Sequence, residues 1–166
     1  SSGHLLMVRK LFGIEGYGVI IEVSLHMGTL LSIFVYWYDD IKKEYSIFIS
    51  GNRQFLYSII IGSIPAAIVG LLFNQYIKDV FFNILTINYL AYNYLVLSII
   101  LFTSKYFSRN NNTEILFKSA LLIGIAQAIA ILPGFSRSGL TVVAALFLGL
   151  SFRTAIKFSF ILSIPI

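Results

Sequence analysis

The feature that most constrains this chain is the length of its uncharged runs. Phe55 to Phe73 is 19 consecutive residues without a charge, and Ile84 to Thr103 is 20 more. Val19 to Tyr38 carries only Glu22 and the titratable His26. A hydrocarbon core about 30 Å thick is crossed by about 20 apolar residues in a helix, which satisfies its own backbone hydrogen bonds. The runs therefore predict an all-α polytopic membrane protein with spans at 19–38, 55–73 and 84–103. Composition agrees: 58% of the 166 residues are hydrophobic and 11% charged, where a soluble domain has about 25% charged. The net charge of +5 sits in the breaks between runs, so it marks membrane topology and not a nucleic-acid partner. There is no cysteine, which excludes disulfides, thiolate metal sites and a Cys nucleophile.

Between the spans, Asp39 to Gln54, Asn74 to Asn83 and Ser104 to Glu114 read as polar loops. Trp37, with Tyr36 and Tyr38, would sit at the membrane interface. Gly62, Ala66 and Gly70, spaced by four, give the second span one smooth face for close helix contact, and Pro65 is tolerable in a packed bundle. Residues 115–150 differ. An apolar helix runs to Leu132, Pro133-Gly134 breaks it, and Ser138 to Leu150 is only about 20 Å of helix. That pattern predicts a re-entrant hairpin with its tip inside the membrane, where irregular backbone must be buried in protein or line a wet cavity. Residues 154–166 start a further span that the chain truncates. With no Met at position 1, both ends read as cut, and the chain as a fragment.

Lys42, Lys43, Arg53, Lys105, Arg109, Lys118, Arg153 and Lys157 fall on one side of this layout and Arg9, Lys10 and Lys78 on the other. The first side is then cytoplasmic. A weak internal repeat runs through the chain. Ser2-Gly3 is followed by Gly13, and Ser138-Gly139 by Gly149, each eleven residues after its serine. Three spans lie between the copies, and an odd number inverts the second. Residues 1–14 then form the second arm of a first re-entrant hairpin, and inverted repeats put polar sites near the midplane.

The stretch Pro133-Gly134-Phe135-Ser136-Arg137-Ser138-Gly139-Leu140-Thr141 bears most on function. An arginine at the bilayer centre costs about 3 kcal/mol or more. It either snorkels and satisfies helix-end carbonyls or binds an anion. Its fork matches phosphate oxygens, Gly134 and Gly139 let backbone N–H groups approach an anion, and the helix beginning near Ser138 aims its N-terminus at the same spot. Ser136, Ser138 and Thr141 add hydroxyls. Ser1-Ser2-Gly3-His4 is a second element, where His4 is either a satisfied polar residue or a group that moves a proton near neutral pH. Glu22 and His26 share a helix face within the first span; a structural hydrogen bond explains them as well as a functional role. Gln127, six residues before Pro133, either orients a site group or hydrogen-bonds a neighbouring helix.

Together these residues resemble the undecaprenyl-pyrophosphate phosphatase family, also called bacitracin-resistance proteins. The resemblance is carried by the stretch from Pro133 to Thr141, Leu148-Gly149-Leu150-Ser151, Phe158-Ser159-Phe160, the opening Ser-Gly-His, and Glu22 to Leu31. It runs in order through nearly the whole chain. It implies two inverted repeats, each with a re-entrant hairpin, in a multi-pass plasma-membrane enzyme whose site faces outward. The implied reaction is hydrolysis of a polyprenyl diphosphate to the monophosphate, recycling the lipid carrier for cell-envelope polysaccharide, with bacitracin resistance as a consequence. By matching positions, Ser1 and His4 fall near the scissile phosphate, Arg137 on the phosphate-binding arginine, and Ser136, Ser138 and Thr141 on its hydroxyl cluster, with Ser2, Glu22 and Gln127 in support. The family implies Mg²⁺ or Ca²⁺, held by glutamates that would lie upstream of Ser1, and allows a homodimer. Lys157 departs from the family, standing where many members carry an acidic residue.

Three rival readings stand beside this one. A polyprenyl-phosphate transporter or flippase would use the same inverted-repeat anion site but would not need His4 and the hydroxyls. A second class of membrane lipid phosphatase pairs Ser-Gly-His with a histidine soon after Ser-Arg, and no histidine follows Arg137 here. A purely structural subunit leaves Arg137 unexplained.

Overall fold

The computed structural model describes residues 8, 12–13, 18–73, 75, 87–106, 112–132 and 134–165. Among these residues the regular elements are helices: α1 (Gly18–Tyr36), α2 (Tyr38–Ile49), α3 (Gln54–Leu72), α4 (Ile87–Ser104), α5 (Phe117–Ile129), α6 (Arg137–Phe147) and α7 (Phe152–Leu162). A single bridge joins Asn112 to Leu150, where Ser151 N–H donates to Asn112 O at 2.7 Å. The all-helical class read from the apolar runs is the class observed.

α3 is central. It is the one helix among the described residues long and apolar enough to cross a membrane, with mean hydropathy 2.2. Spacing by four divides it into two rows. Ser58, Gly62 and Ala66 face inward and are buried, while Ile60, Ile64 and Ile68 face outward and are about half exposed. Where Gly62 faces α5, a Cβ on Gly124 would lie 2.9 Å from the Gly62 carbonyl carbon, so the two backbones touch. Gln54 Nε2 donates to Ile115 O at 3.1 Å and Ser58 Oγ lies 3.3 Å from the same oxygen, tying the starts of α3 and α5. The expected smooth face is shifted by one turn. Gly70 has nothing within 4 Å of an added Cβ, because α5 is only 13 residues long and meets the first part of α3.

α5, α6 and α7 pack in sequence, α4 lies on α6, and α7 also touches α3. Their shared core holds Ile123, Leu146, Leu150, Phe158 and Leu162, with Ala120, Ala145 and Ala155 letting the helices approach. At a rise of about 1.5 Å per residue, α5 and α6 are about 20 and 17 Å long. α6 ends at Gly149, φ 85°, where Leu150 N–H bonds Ala145 O and Gly149 N–H bonds Leu146 O. Glycine takes this left-handed cap without Cβ strain.

A second expectation is corrected. The segment from Asp39 to Gln54 is not a polar loop: Tyr38–Ile49 is helical, and only the turn after it is irregular. Asp39 and Asp40 occupy its first turn, where carboxylates favour a helix N-terminus. Ile41, Tyr45 and Phe48 recur at helical spacing, and Gly51, φ 103°, closes the helix with the same cap as Gly149. Charge density hid this amphipathic pattern. Trp37 is buried at the α1–α2 corner, while Tyr36 and Tyr38 are exposed.

α2 is held to α7 by charge. Lys157 Nζ lies 2.7 Å from Glu44 Oε1 and 3.7 Å from Asp40 Oδ1, and also over the Phe55 ring at 5.2 Å. Arg153 Nη2 is 3.7 Å from Asp40 Oδ2. Lys157 thus has two carboxylates facing it. Lys157→Glu brings three carboxylates together and is expected to cost about 2 kcal/mol. Adding Glu44→Lys should restore at least half of the loss in thermal denaturation; no restoration would mean that the pair does not hold α2.

Candidate active site

Of the five candidate residues from Ser136 to Thr141, Ser136 is the position before α6, Arg137, Ser138 and Gly139 lie in its first turn, and Thr141 follows one turn on. Gly134 makes the turn into this helix with φ 95°. It also packs directly on α4, where an added Cβ would lie 2.8 Å from Asn93 Cβ and 3.5 Å from Leu90 Cδ2. A side chain at Gly134 is therefore excluded twice, by conformation and by space. Asn93 and Leu90, both buried, form the seat of the turn that leads into α6. Neither was singled out from sequence; a buried asparagine in an apolar run was the available signal.

Ser136 is the N-cap, its Oγ accepting from Gly139 N–H at 3.2 Å. That satisfies one of the N–H groups that a helix start leaves without partners, while those of Arg137 and Ser138 stay outside the helix's own hydrogen-bond ladder. Ser138 Oγ lies 3.4 Å from Ser136 Oγ. Gly139 is tight, since a Cβ there would come within 3.2 Å of Ser136 Cβ. Arg137 is half-buried. The ion pairs among the described residues involve Arg153 and Lys157, so no described carboxylate pairs with Arg137.

Thr141 sits one turn deeper and is buried. Its Oγ1 lies 2.9 Å from Arg137 O and 3.2 Å from Ser138 O, and it hydrogen-bonds the Ser159 hydroxyl of α7. Ser159 Oγ also reaches Ser138 O at 3.5 Å. Thr141 and Ser159 thus brace the first turn of α6 from below. The role of Ser159 was legible only as part of the Phe158-Ser159-Phe160 pattern.

Gln127, on α5, is 1% exposed, and neither side-chain amide atom has a hydrogen-bond partner among the described residues. It lies on the buried face of α5 with Ile123 and Gly124, one turn nearer the C-terminal end of that helix. Ser1, Ser2 and His4 lie outside the described residues. Glu22 lies on α1, its side chain outside the description, and His26 on the same helix is exposed. α1 packs chiefly on α2, so the structure does not bring His26 to the α6 turn. Among the described residues no three His, Asp or Glu gather to hold a metal ion.

This arrangement offers a cation with a planar fork, two hydroxyls and a helix N-terminus at one spot, with no described anion in it. The sequence profile of the bacitracin resistance protein BacA family matches residues 1–166. An undecaprenyl-diphosphatase of Halothermothrix orenii is 34% identical over 168 residues, covering 100% of this chain and 63% of that protein. Undecaprenyl-diphosphatase 3 of Bacillus cereus is 39% identical over 168 residues, covering 99% and 62%. An undecaprenyl-diphosphatase of Idiomarina loihiensis is 35% identical over 179 residues, covering 100% and 65%. The chain thus spans 62 to 65% of the length of these relatives. With its whole length matched, the chain belongs to the bacitracin resistance protein BacA family.

Proposed function

We propose that the full protein is a membrane-embedded hydrolase that converts undecaprenyl or a related polyprenyl diphosphate to the monophosphate and free phosphate. The observation that carries this is the half-buried Arg137 at the N-capped start of α6, without a described carboxylate beside it. A guanidinium so placed is matched by a phosphate group, whose oxygens take the fork and the helix N–H groups together. The terminal phosphorus is attacked either by water or by a side chain whose phosphoryl adduct water then hydrolyses; in both cases the bridging P–O bond breaks, the monophosphate leaves on its lipid, and phosphate is released. Arg137, Ser136 and Ser138 hold the non-bridging oxygens and stabilise the charge that builds there. The Ser1–His4 segment supplies the nucleophile or activates the water. A divalent cation would neutralise the diphosphate when bound. The described residues contain no cage for it.

Several features support the membrane layout. α5 and α6, at 13 and 11 residues, are each too short to span, as a re-entrant pair would be. Gly13 and Gly149, the matching glycines of the two repeat copies, both have positive φ, 64° and 85°. Names of the relatives speak for hydrolysis, and nothing favours translocation without it. The test is phosphate release from a polyprenyl diphosphate by the full-length parent, with and without EDTA. Binding without release would sink the hydrolase assignment.

Gln127 belongs to this proposal as a group that completes its hydrogen bonds with water or substrate. An unpartnered buried amide costs about 1–3 kcal/mol. Gln127→Met should therefore leave thermal stability equal or higher by about 1 kcal/mol while slowing phosphate release about tenfold. Full activity in a folded Gln127→Met variant would show that the amide is idle.

A further inference from the structure

Far from the α6 turn, α2, α3 and α7 enclose two joined clefts. The first, of about 410 Å³, is lined by three cations, Lys43, Arg153 and Lys157, and three carboxylates, Asp40, Glu44 and Glu114. The second, of about 270 Å³, is almost wholly apolar, with Ile41, Phe48, Ile59 and Ile161 among its walls. The two share Glu44, Asn52 and Phe55. Phe55 and Ile59 are successive turns of α3, so the apolar cleft runs inward along that helix from the charged one. Arg153 follows α6, about 17 Å of helix away from Arg137.

A polar recess opening into an apolar groove has the shape of an amphiphile: a head that carries charge and a chain that avoids water. The formal charges of the recess cancel. A purely anionic head would gain from the cations but meet three carboxylates. A head carrying both a phosphate and an ammonium is complementary to both signs. Lys157 is already engaged between Glu44 and Asp40. Arg153, with a side chain 82% exposed and 3.7 Å from its described carboxylate, and Lys43, exposed and in none of the described ion pairs, are the cations available to a phosphate. Glu114 lines the same recess, on the segment that leads into α5.

We propose that this double cleft is a binding site for a zwitterionic phospholipid, with phosphate on Arg153 and Lys43, ammonium on Glu114, and an acyl chain in the groove between α2 and α3. The site rests on the membrane assignment above but is separate from the anion site at Arg137. Through Glu44 and Phe55 the lipid would touch the contacts that dock α2, so its occupancy would hold that helix in place.

The experiment uses the full-length parent in detergent, mixed with equal amounts of phosphatidylethanolamine and phosphatidylglycerol of matched chains. Bound lipid is counted by native mass spectrometry. Phosphatidylethanolamine should be favoured roughly fivefold, the effect of one or two partly exposed charge contacts. Glu114→Gln should bring the preference close to parity, and Arg153→Gln should reduce retention of both lipids. Phosphoethanolamine without chains should not compete, because the groove contributes to binding. Equal retention of the two lipids by the unaltered protein overturns the proposal, as does a preference unmoved by Glu114→Gln. Phosphate release, followed in parallel, should not change in either variant. Its failure in the unaltered protein would count against the hydrolase assignment and leave the lipid count to be judged alone.

Discussion

Arg137→Ala is expected to lower phosphate release by the full protein about 10²- to 10³-fold, the loss seen when one preorganised charge stabiliser is removed from a phosphoryl or acyl transfer site. Folding should be little affected. Arg137 has no described ion-pair partner to orphan, and the cap of α6 is made by Ser136 and Gly139, not by the arginine. Arg137→Lys keeps the charge but loses the planar fork, and should recover only part of the rate. The check is steady-state phosphate release, with thermal denaturation of each variant to show that it is folded. A folded Arg137→Ala protein within about fivefold of the parent would remove Arg137 from the site.

Gly124→Val should disrupt the fold itself. A Cβ at Gly124 would run into the backbone of Gly62, not into a side chain that can rotate away. Overpacking usually costs about 1–3 kcal/mol because neighbours shift. Here both sides are helix backbone, so about 3 kcal/mol or more is expected. For a chain of this size that corresponds to a fall of about 6–12 °C in melting midpoint. Gly70→Ala is the matched control, since nothing lies within 4 Å of its added Cβ. It should be neutral or slightly stabilising, because alanine favours helix by about 1 kcal/mol over glycine. Equal effects at both positions would mean that α3 and α5 do not meet at Gly62 and Gly124.

The helices and the α6 turn were readable from residue order because their causes are local. An uncharged run of about 20 residues becomes a helix wherever water is scarce. Ser136, Arg137, Ser138 and Gly139 are neighbours in sequence and stay neighbours in space. α2 was misread because its charges suggested a loop, while the ion pairs that seat it span more than a hundred residues, from Glu44 to Lys157. Asn93 was missed, and Ser159 was named only within a pattern, for the same reason: their contacts come from distant segments, Gly134 in the first case and Thr141 in the second.

Sequence by itself determined the helical class, the break between α5 and α6 and the cluster around Arg137, since periodicity, backbone restriction and the cost of a buried charge act within a few residues. Tertiary structure alone decided which small residues carry the helix contact, choosing Gly62 over Gly70. It also joined α2 to α7, braced the α6 turn with Ser159, and enclosed the double cleft. Those outcomes depend on how short α5 is and where α3 crosses it, and packing between distant segments leaves no mark in any one of them.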